Sequence, residues 1–294
     1  MKLEGVYTAI LTPFQNEGRD IDFGAYRELI ERQISGGVNG VVPCGTTGES
    51  PTLSHKEHRE LVRKTVEFVN GRIAVIAGTG SNSTTEAIEL SRDACQDGVD
   101  AVMLVNPYYN KPSQEGLYRH FKTVAEACDR PVIVYNIKSR TGVNVEVDTM
   151  VRLMDVANIA GVKEASGDPN QMARLQLACG QRLAMLSGDD NITPAVMGLG
   201  GRGVISVASN IYPGRLARMV AAFLDGDFTA GNTIFYSILE FMNAMFWETN
   251  PVPVKAAAGI MGFCSEAVRL PLVAMSDVQK ANLKAIMDRV GADN

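Results

Sequence analysis

Residues 159–164 read IAGVKE, and the way that stretch is read decides the fold. Ile159, Ala160, Gly161 and Val162 form a short apolar run that goes straight into Lys163 and Glu164. A continuous apolar run, not an alternating one, suits a parallel strand covered on both faces. The pattern changes at once to a helical period over 169–179. Working outward, the same apolar signal occurs at 6–10 (VYTAI), 40–44 (GVVPC), 73–77 (IAVIA) and 101–105 (AVMLV). It returns at 131–135 (PVIVY), 183–187 (LAMLS) and 203–207 (GVISV).

Between these strands lie amphipathic stretches at 22–35, 55–69, 83–96, 113–128, 146–156, 191–199 and 213–225, with apolar residues three and four apart. Helix starts are marked. Ser54 with Glu57 three residues on makes a capping box, and Asp22 and Ser113 are suited to cap the first and fourth helices. Eight strand-then-helix units predict an α/β protein of the (β/α)8 type, the TIM barrel. The barrel is expected over 1–225. Residues 226–294, helical in pattern at 228–247, 252–261 and 275–291, are expected to form an all-α carboxyl-terminal extension.

Composition narrows the function classes. The 294 residues are 46% hydrophobic and 21% charged with a formal net charge of −5, ordinary for a globular enzyme and unlike a basic nucleic-acid binder. Cys44, Cys95, Cys128, Cys179 and Cys264 are scattered without a CxxC pair, which predicts reduced thiols and no disulfide framework. His55, His58 and His120 fall in no pattern with metal-ligand spacing, so neither a metal nor a cofactor is expected. The amino-terminal segment lacks a signal-peptide apolar region, and no apolar run approaches the ~20 residues a bilayer requires; a cytoplasmic protein is expected.

In such a barrel the chemistry belongs at the carboxyl ends of the strands. Here those ends read Gly45-Thr46-Thr47-Gly48-Glu49-Ser50, Gly78-Thr79-Gly80-Ser81-Asn82, Asn106-Pro107-Tyr108-Tyr109-Asn110, Tyr135-Asn136, Lys163-Glu164 and Ser187-Gly188-Asp189-Asp190. Lys163 stands out. A lysine on a buried strand can simply snorkel to the rim. Ringed by hydroxyls and phenols, it instead reads as an amine whose charge is disfavoured by burial, free to attack a carbonyl. The GTTGES turn lacks the Gly-Lys-Ser/Thr of a phosphate loop, but its hydroxyls and N–H groups suit a small carboxylate. GLGGRG at 198–203 ends a helix and enters a strand, the wrong order for a dinucleotide fingerprint, and is read as a turn. Tyr135 and Tyr109 are suited either to packing or to proton transfer, and Arg140 to binding a carboxylate with both arms of its guanidinium.

Seven segments in order, GTTGES, PYYNKPSQEGLYRHF, VYNIKSRTG, GVKEASG, LSGDD, GVISVASN and NPVPVK, together resemble the dihydrodipicolinate synthase family of the pyruvate-dependent class I aldolases. The resemblance spans essentially the whole chain. It implies a lyase in which Lys163 forms a Schiff base with pyruvate and Thr46, Tyr135 and Tyr109 relay protons, Tyr109 from a neighbouring subunit. Thr47, with Thr46 and the main chain of Gly188 and Ile205, would hold the pyruvate carboxylate, and Arg140 that of L-aspartate-4-semialdehyde. It further implies 4-hydroxy-tetrahydrodipicolinate formation in lysine and diaminopimelate synthesis, and a homotetramer built as a dimer of dimers.

In lysine-inhibited members the inhibitor site would map to Ser50, His55, His58, Asn82, Glu86 and Tyr108; His55 and His58 also read simply as exposed helix residues. Pro51 after Ser50, and Lys138 where many members have proline, depart from the family pattern. The alternatives are a related aldolase acting on N-acetylneuraminate or a 2-keto-3-deoxy sugar acid, and a barrel that only senses pyruvate or lysine.

Overall fold

The structure, a computed structural model, describes residues 2–293. Eight strands alternate with helices: β1 (Gly5–Ala9), β2 (Gly40–Val42), β3 (Ala74–Gly78), β4 (Ala101–Val105), β5 (Val132–Asn136), β6 (Ile159–Glu164), β7 (Ala184–Ser187) and β8 (Gly203–Ser206). Each strand hydrogen-bonds to the next in sequence and β8 returns to β1, so the sheet closes into a parallel barrel. The outer helices are α1 (Phe23–Ser35), α2 (His55–Val69), α3 (Thr84–Gln96), α4 (Gln114–Glu126), α5 (Lys138–Thr141), α6 (Val147–Leu153), α7 (Pro169–Cys179), α8 (Thr193–Gly198) and α9 (Pro213–Leu224). Three more follow, α10 (Phe228–Ala244), α11 (Val252–Ile260) and α12 (Asp277–Val290). The (β/α)8 architecture and the helical carboxyl-terminal segment read from the sequence are both present.

The helix starts obey the expected capping chemistry. The Ser54 side chain accepts from the Glu57 N–H while the Glu57 carboxylate accepts from the Ser54 N–H. Asp22 accepts from Ala25 N–H at 3.0 Å and Ser113 from Gly116 N–H at 3.3 Å. Several boundaries differ from the sequence reading. β2 stops at Val42, because Pro43 has no N–H to offer a ladder and Cys44 turns into the left-handed region with φ 55°. α4 ends at Glu126, two residues before Cys128, and α6 covers only Val147–Leu153. The loop expected around Arg140 is a single helical turn, Lys138–Thr141, closed by Gly142 at φ 75°. A short antiparallel hairpin, Phe14–Gln15 with Asp20–Ile21, went unread because two-residue strands carry no usable period.

Compact packing groups the chain into two units. The first runs from Val75 to Ile205 with the segment up to Glu4, and the second joins Gly5–Ala74 to the chain from Ser206 onward. In the first, Ile76, Val102, Leu104, Ile133, Val134, Val162, Leu186 and Val204 are fully buried, as expected of strands covered on both faces. In the second, Leu29, Ile30 and Leu61 of the first two helices are equally buried, as are Ile238, Phe241 and Met242 of α10.

The second unit also buries charge. Lys255 on α11 is fully enclosed, its Nζ 2.5 Å from Glu49 Oε1, donating to Ala267 O at 2.7 Å and lying 3.9 Å from the Phe14 ring centroid. Burial lowers the Lys255 pKa, and the Glu49 carboxylate works against that. Arg269 packs beside it over the same ring. Its guanidinium donates to Gly18 O, Arg19 O, Thr52 O and both oxygens of Glu57, and its N–H donates to Glu49 Oε2. The hydrogen bond from Arg269 holds the Glu57 carboxyl down at about 2. The irregular segment after α11 is thereby tied to the GTTGES turn and to the hairpin.

Removing one partner of a buried pair strands the other charge, at a cost of about 3–5 kcal/mol. Lys255→Met is expected to lower Tm by roughly 10 °C, and adding Glu49→Gln should recover most of that loss. Differential scanning calorimetry checks both variants; a single variant melting with the wild type would show that the pair does not hold this region.

Candidate active site

Lys163 and Tyr135 are register partners on β6 and β5, and both are buried. Directly paired residues of parallel strands face the same side, so their side chains meet, with Lys163 Nζ 4.1 Å from the Tyr135 ring centroid. Lys163 is 5% exposed. Burial pulls its pKa from the usual lysine range down to about 8; Asp189 and Asp190 oppose the shift and Arg140 adds to it. Burial raises the Asp189 carboxyl in turn, against the charges of Lys163 and Arg140. A lysine in this state is a usable nucleophile near neutral pH.

The next residue on each strand faces the other way, and there the two strands carry Asn136 and Glu164. Asn136 Nδ2 donates to Glu164 Oε2 at 3.3 Å and to Asn144 Oδ1 at 2.9 Å, while its Oδ1 accepts from Asn106 Nδ2 and from Val145 N–H. Asn106 Nδ2 also donates to Val143 O, and Thr141 Oγ1 to Ile137 O at 2.7 Å. This network fixes the chain that leaves β5, so the turn carrying Arg140 is held by side-chain amides although Lys138 stands at its start. Burial keeps Glu164 above the usual carboxylate range.

The β7 end is built around Gly188. Its N–H donates to Glu164 O at 2.8 Å, and a Cβ there would lie 2.6 Å from Ala165 Cβ and 3.1 Å from Glu164 O, so only glycine fits. Ser187 Oγ and Thr193 Oγ1 both donate to Asp189 O, holding the Gly188–Asp189 main chain in place. Ile205, on β8, is fully buried.

The GTTGES turn belongs to the other unit and has its own anchors. Glu49 N–H donates to Thr46 O, and Gly48 N–H and Ser50 N–H to Gly45 O. Thr12 Oγ1 donates to Gly48 O at 2.7 Å, and Thr47 Oγ1 accepts from Asn250 Nδ2 at 3.0 Å. Thr47 is buried and Thr46 half-buried. Asn250 and Glu49 thus connect NPVPVK, near the end of the chain, to a turn about 200 residues earlier.

Of the remaining sequence candidates, Arg140 is near enough for its charge to act on Lys163 and Asp189. Arg140 is exposed. Tyr109 is 90% exposed and adopts φ 73°, a strained backbone for a tyrosine. Asn82 accepts from Asn110 Nδ2 through its carbonyl, and Ser81 Oγ donates to Glu86. Tyr108 is partly exposed. Ser50 opens a 3-10 turn with Pro51 at its second position. His55 is exposed at the start of α2, whereas His58, expected exposed with it, is buried at 5%. A helical turn places it on the α2 face with Leu61 and Val62. Sequence reasoning missed the roles of Asn136, Glu164 and Asp189. The strand alternation that puts Tyr135 and Lys163 on one face puts Asn136 and Glu164 on the other, and this could have found the first two.

Known proteins agree with this layout. A sequence model of the dihydrodipicolinate synthetase family matches residues 2–290. A 4-hydroxy-tetrahydrodipicolinate synthase of Leptospira biflexa is 53% identical over 93% of this chain and 92% of that one. The dihydrodipicolinate synthase of Acinetobacter baumannii, solved in complex with pyruvate, superposes with a TM-score of 0.96 at 41% identity, covering 98% of this chain and 99% of that one. The enzyme of Cyanidioschyzon merolae, solved with lysine bound, gives a TM-score of 0.94 at 38% identity, with 98% of each chain covered. With its barrel, its buried strand-end lysine and this likeness over nearly its full length, the chain belongs to the dihydrodipicolinate synthetase family.

Proposed function

We propose that the chain is a 4-hydroxy-tetrahydrodipicolinate synthase, a lyase that joins pyruvate to L-aspartate-4-semialdehyde through a Schiff base on Lys163. The observation that carries this reading is the Lys163 amine, buried against Tyr135 and drawn down to about 8. Family membership and the pyruvate complex of the Acinetobacter relative support it.

In this reading the neutral Lys163 amine attacks the C2 carbonyl of pyruvate, and loss of water leaves an imine. Thr46 and Thr47, with the main chain of Gly188 and Ile205, hold the pyruvate carboxylate. A methyl proton leaves through Tyr135 and Thr46, giving an enamine. The enamine carbon bonds to the aldehyde carbon of the second substrate, whose oxygen takes a proton and becomes the hydroxyl. The substrate's own amine then adds to the imine carbon, closing the ring and expelling Lys163 as free amine. Arg140 binds the semialdehyde carboxylate with a fork that a lysine could not supply.

Tyr109, exposed in one copy and held in a left-handed backbone, completes the proton relay of a neighbouring copy. A shared Tyr109 requires a dimer, and the family resemblance implies a homotetramer of two such dimers, working in the cytoplasm in lysine and diaminopimelate synthesis. The lysine-bound Cyanidioschyzon relative supports a second site for L-lysine made from Ser50, His55, His58, Asn82, Glu86 and Tyr108.

Purified protein given pyruvate plus aspartate semialdehyde is expected to turn over at a rate that Lys163→Ala abolishes, and to leave N-acetylneuraminate uncleaved. Cleavage of the sugar acid in place of condensation would replace this reading with that of a related aldolase.

The reactive form of Lys163 is the neutral amine, so adduct formation rises with pH through about 8. Between pH 7 and pH 8 the free-amine fraction grows about fivefold. Asp189 stabilises the ammonium, so Asp189→Asn is expected to shift the acid limb of the pH–rate profile to lower pH. A shift to higher pH would contradict this electrostatic assignment.

Millimolar L-lysine is expected to inhibit the condensation, and His58→Ala to relieve that inhibition. An unchanged rate in lysine would remove the second site from the proposal.

A further inference from the structure

Cys95 and Cys128 lie far apart in the sequence, which predicts two unrelated thiols. Folding brings them together. Cys95 is in the last turn of α3, and Cys128 is two residues beyond α4 on the short link into the amino end of β5. Their sulfurs are 2.6 Å apart, approaching the ~2.05 Å of a bonded pair. With a carboxylate oxygen of Asp129 they form, among the described residues, the one Cys/Asp group whose ligand atoms all lie within 4.8 Å of one another. The site is at the opposite end of the strands from Lys163 and takes no part in the chemistry above.

The two thiols are not equivalent. Cys128 Sγ shares a hydrogen bond with Cys95 Sγ in which either sulfur can donate, and it accepts the Arg130 N–H at 3.4 Å, a contact that favours its thiolate. The hydrogen bond between them draws the Cys128 thiol below its usual range and pushes the Cys95 thiol up. The segment around Cys128 is held in place, because Asn158 Nδ2 donates to the carbonyls of Ala125, Cys128 and Arg130. Cys128 also lines a surface groove of about 400 Å³ with Lys122, Glu126, Asp129, Asp155 and Asn158. That groove adjoins Cys128, which is 9% exposed.

We propose that Cys95 and Cys128 form a redox-active dithiol site that low-molecular-weight disulfides oxidise, with Cys128 as the attacking thiol and Cys95 as the resolving one. The Cys128 thiolate bonds to one sulfur of the incoming disulfide R–S–S–R and expels R–S⁻, leaving a mixed disulfide. Cys95 loses its proton and attacks Cys128 Sγ, and the second R–S⁻ departs. Two thiols are thereby oxidised to one protein disulfide, and R–S–S–R is reduced to two thiols. The new bond ties the end of α3 to the end of α4 across a span of 33 residues.

The test treats the full-length protein with hydroxyethyl disulfide, removes the reagent and reads intact mass, then blocks residual thiols with N-ethylmaleimide and reads non-reducing peptide maps. Wild type is expected to lose about 2 Da, the mass of two hydrogens, and to yield a single linked pair of peptides carrying Cys95 and Cys128. Its Tm should rise by roughly 5–10 °C, reversed by dithiothreitol. Cys95→Ser should instead stop at a stable mixed disulfide on Cys128 with no such rise, and Cys128→Ser should stay unmodified at Cys95 over the same interval. Wild type that keeps both thiols, stops at a mixed disulfide or links other cysteines would overturn the site. A mixed disulfide on Cys95 in Cys128→Ser, formed as fast as the one on Cys128, would overturn the assignment of the attacking thiol.

Discussion

An ammonium ion dislikes the interior of an apolar barrel, and this chain places one there. Lys163 is the penultimate residue of a strand whose preceding residues are apolar or glycine, with Tyr135 against its amine and only 5% of its surface exposed. Desolvation dominates its titration, and Asp189 and Asp190 recover part of the lost stabilisation. Without those carboxylates the lysine would be neutral at lower pH. Without the burial it would remain an ordinary ammonium, unable to attack a carbonyl.

Much of the surrounding structure makes that placement durable. Asn136 and Glu164 back the paired strands on the face opposite Tyr135 and Lys163, and through Asn106 and Asn144 they fix the chain that carries Arg140. Gly188 lets β7 approach β6 at a point where any side chain would collide with Ala165. The second unit applies the same logic to the GTTGES turn, which Asn250, Lys255 and Arg269 anchor from the far end of the sequence. Buried polar groups of this kind are costly without partners, and Asn136, Lys255 and Arg269 find theirs through side chains distant in sequence.

That long reach explains what the sequence could and could not convey. The eight strands were legible because each is a short apolar run bounded by turns, and the helix starts because Asp22, Ser54 and Ser113 are local signals. Lys163 was legible because a lysine closing such a run is unusual. The Lys255–Glu49 pair was not, since nothing in either segment names a partner about 200 residues away. The Cys95–Cys128 contact is hidden for the same reason, since nothing local links two thiols 33 residues apart. The burial of His58 depends on what packs over α2, which a helical period alone does not reveal.

Lys163 is proposed as the amine that binds pyruvate covalently. Borohydride reduction in the presence of pyruvate, followed by peptide mass mapping, tests it most directly. One stable adduct per chain is expected, on the peptide containing Lys163, absent from Lys163→Ala. An adduct on another lysine, or none in an actively turning-over enzyme, would contradict it.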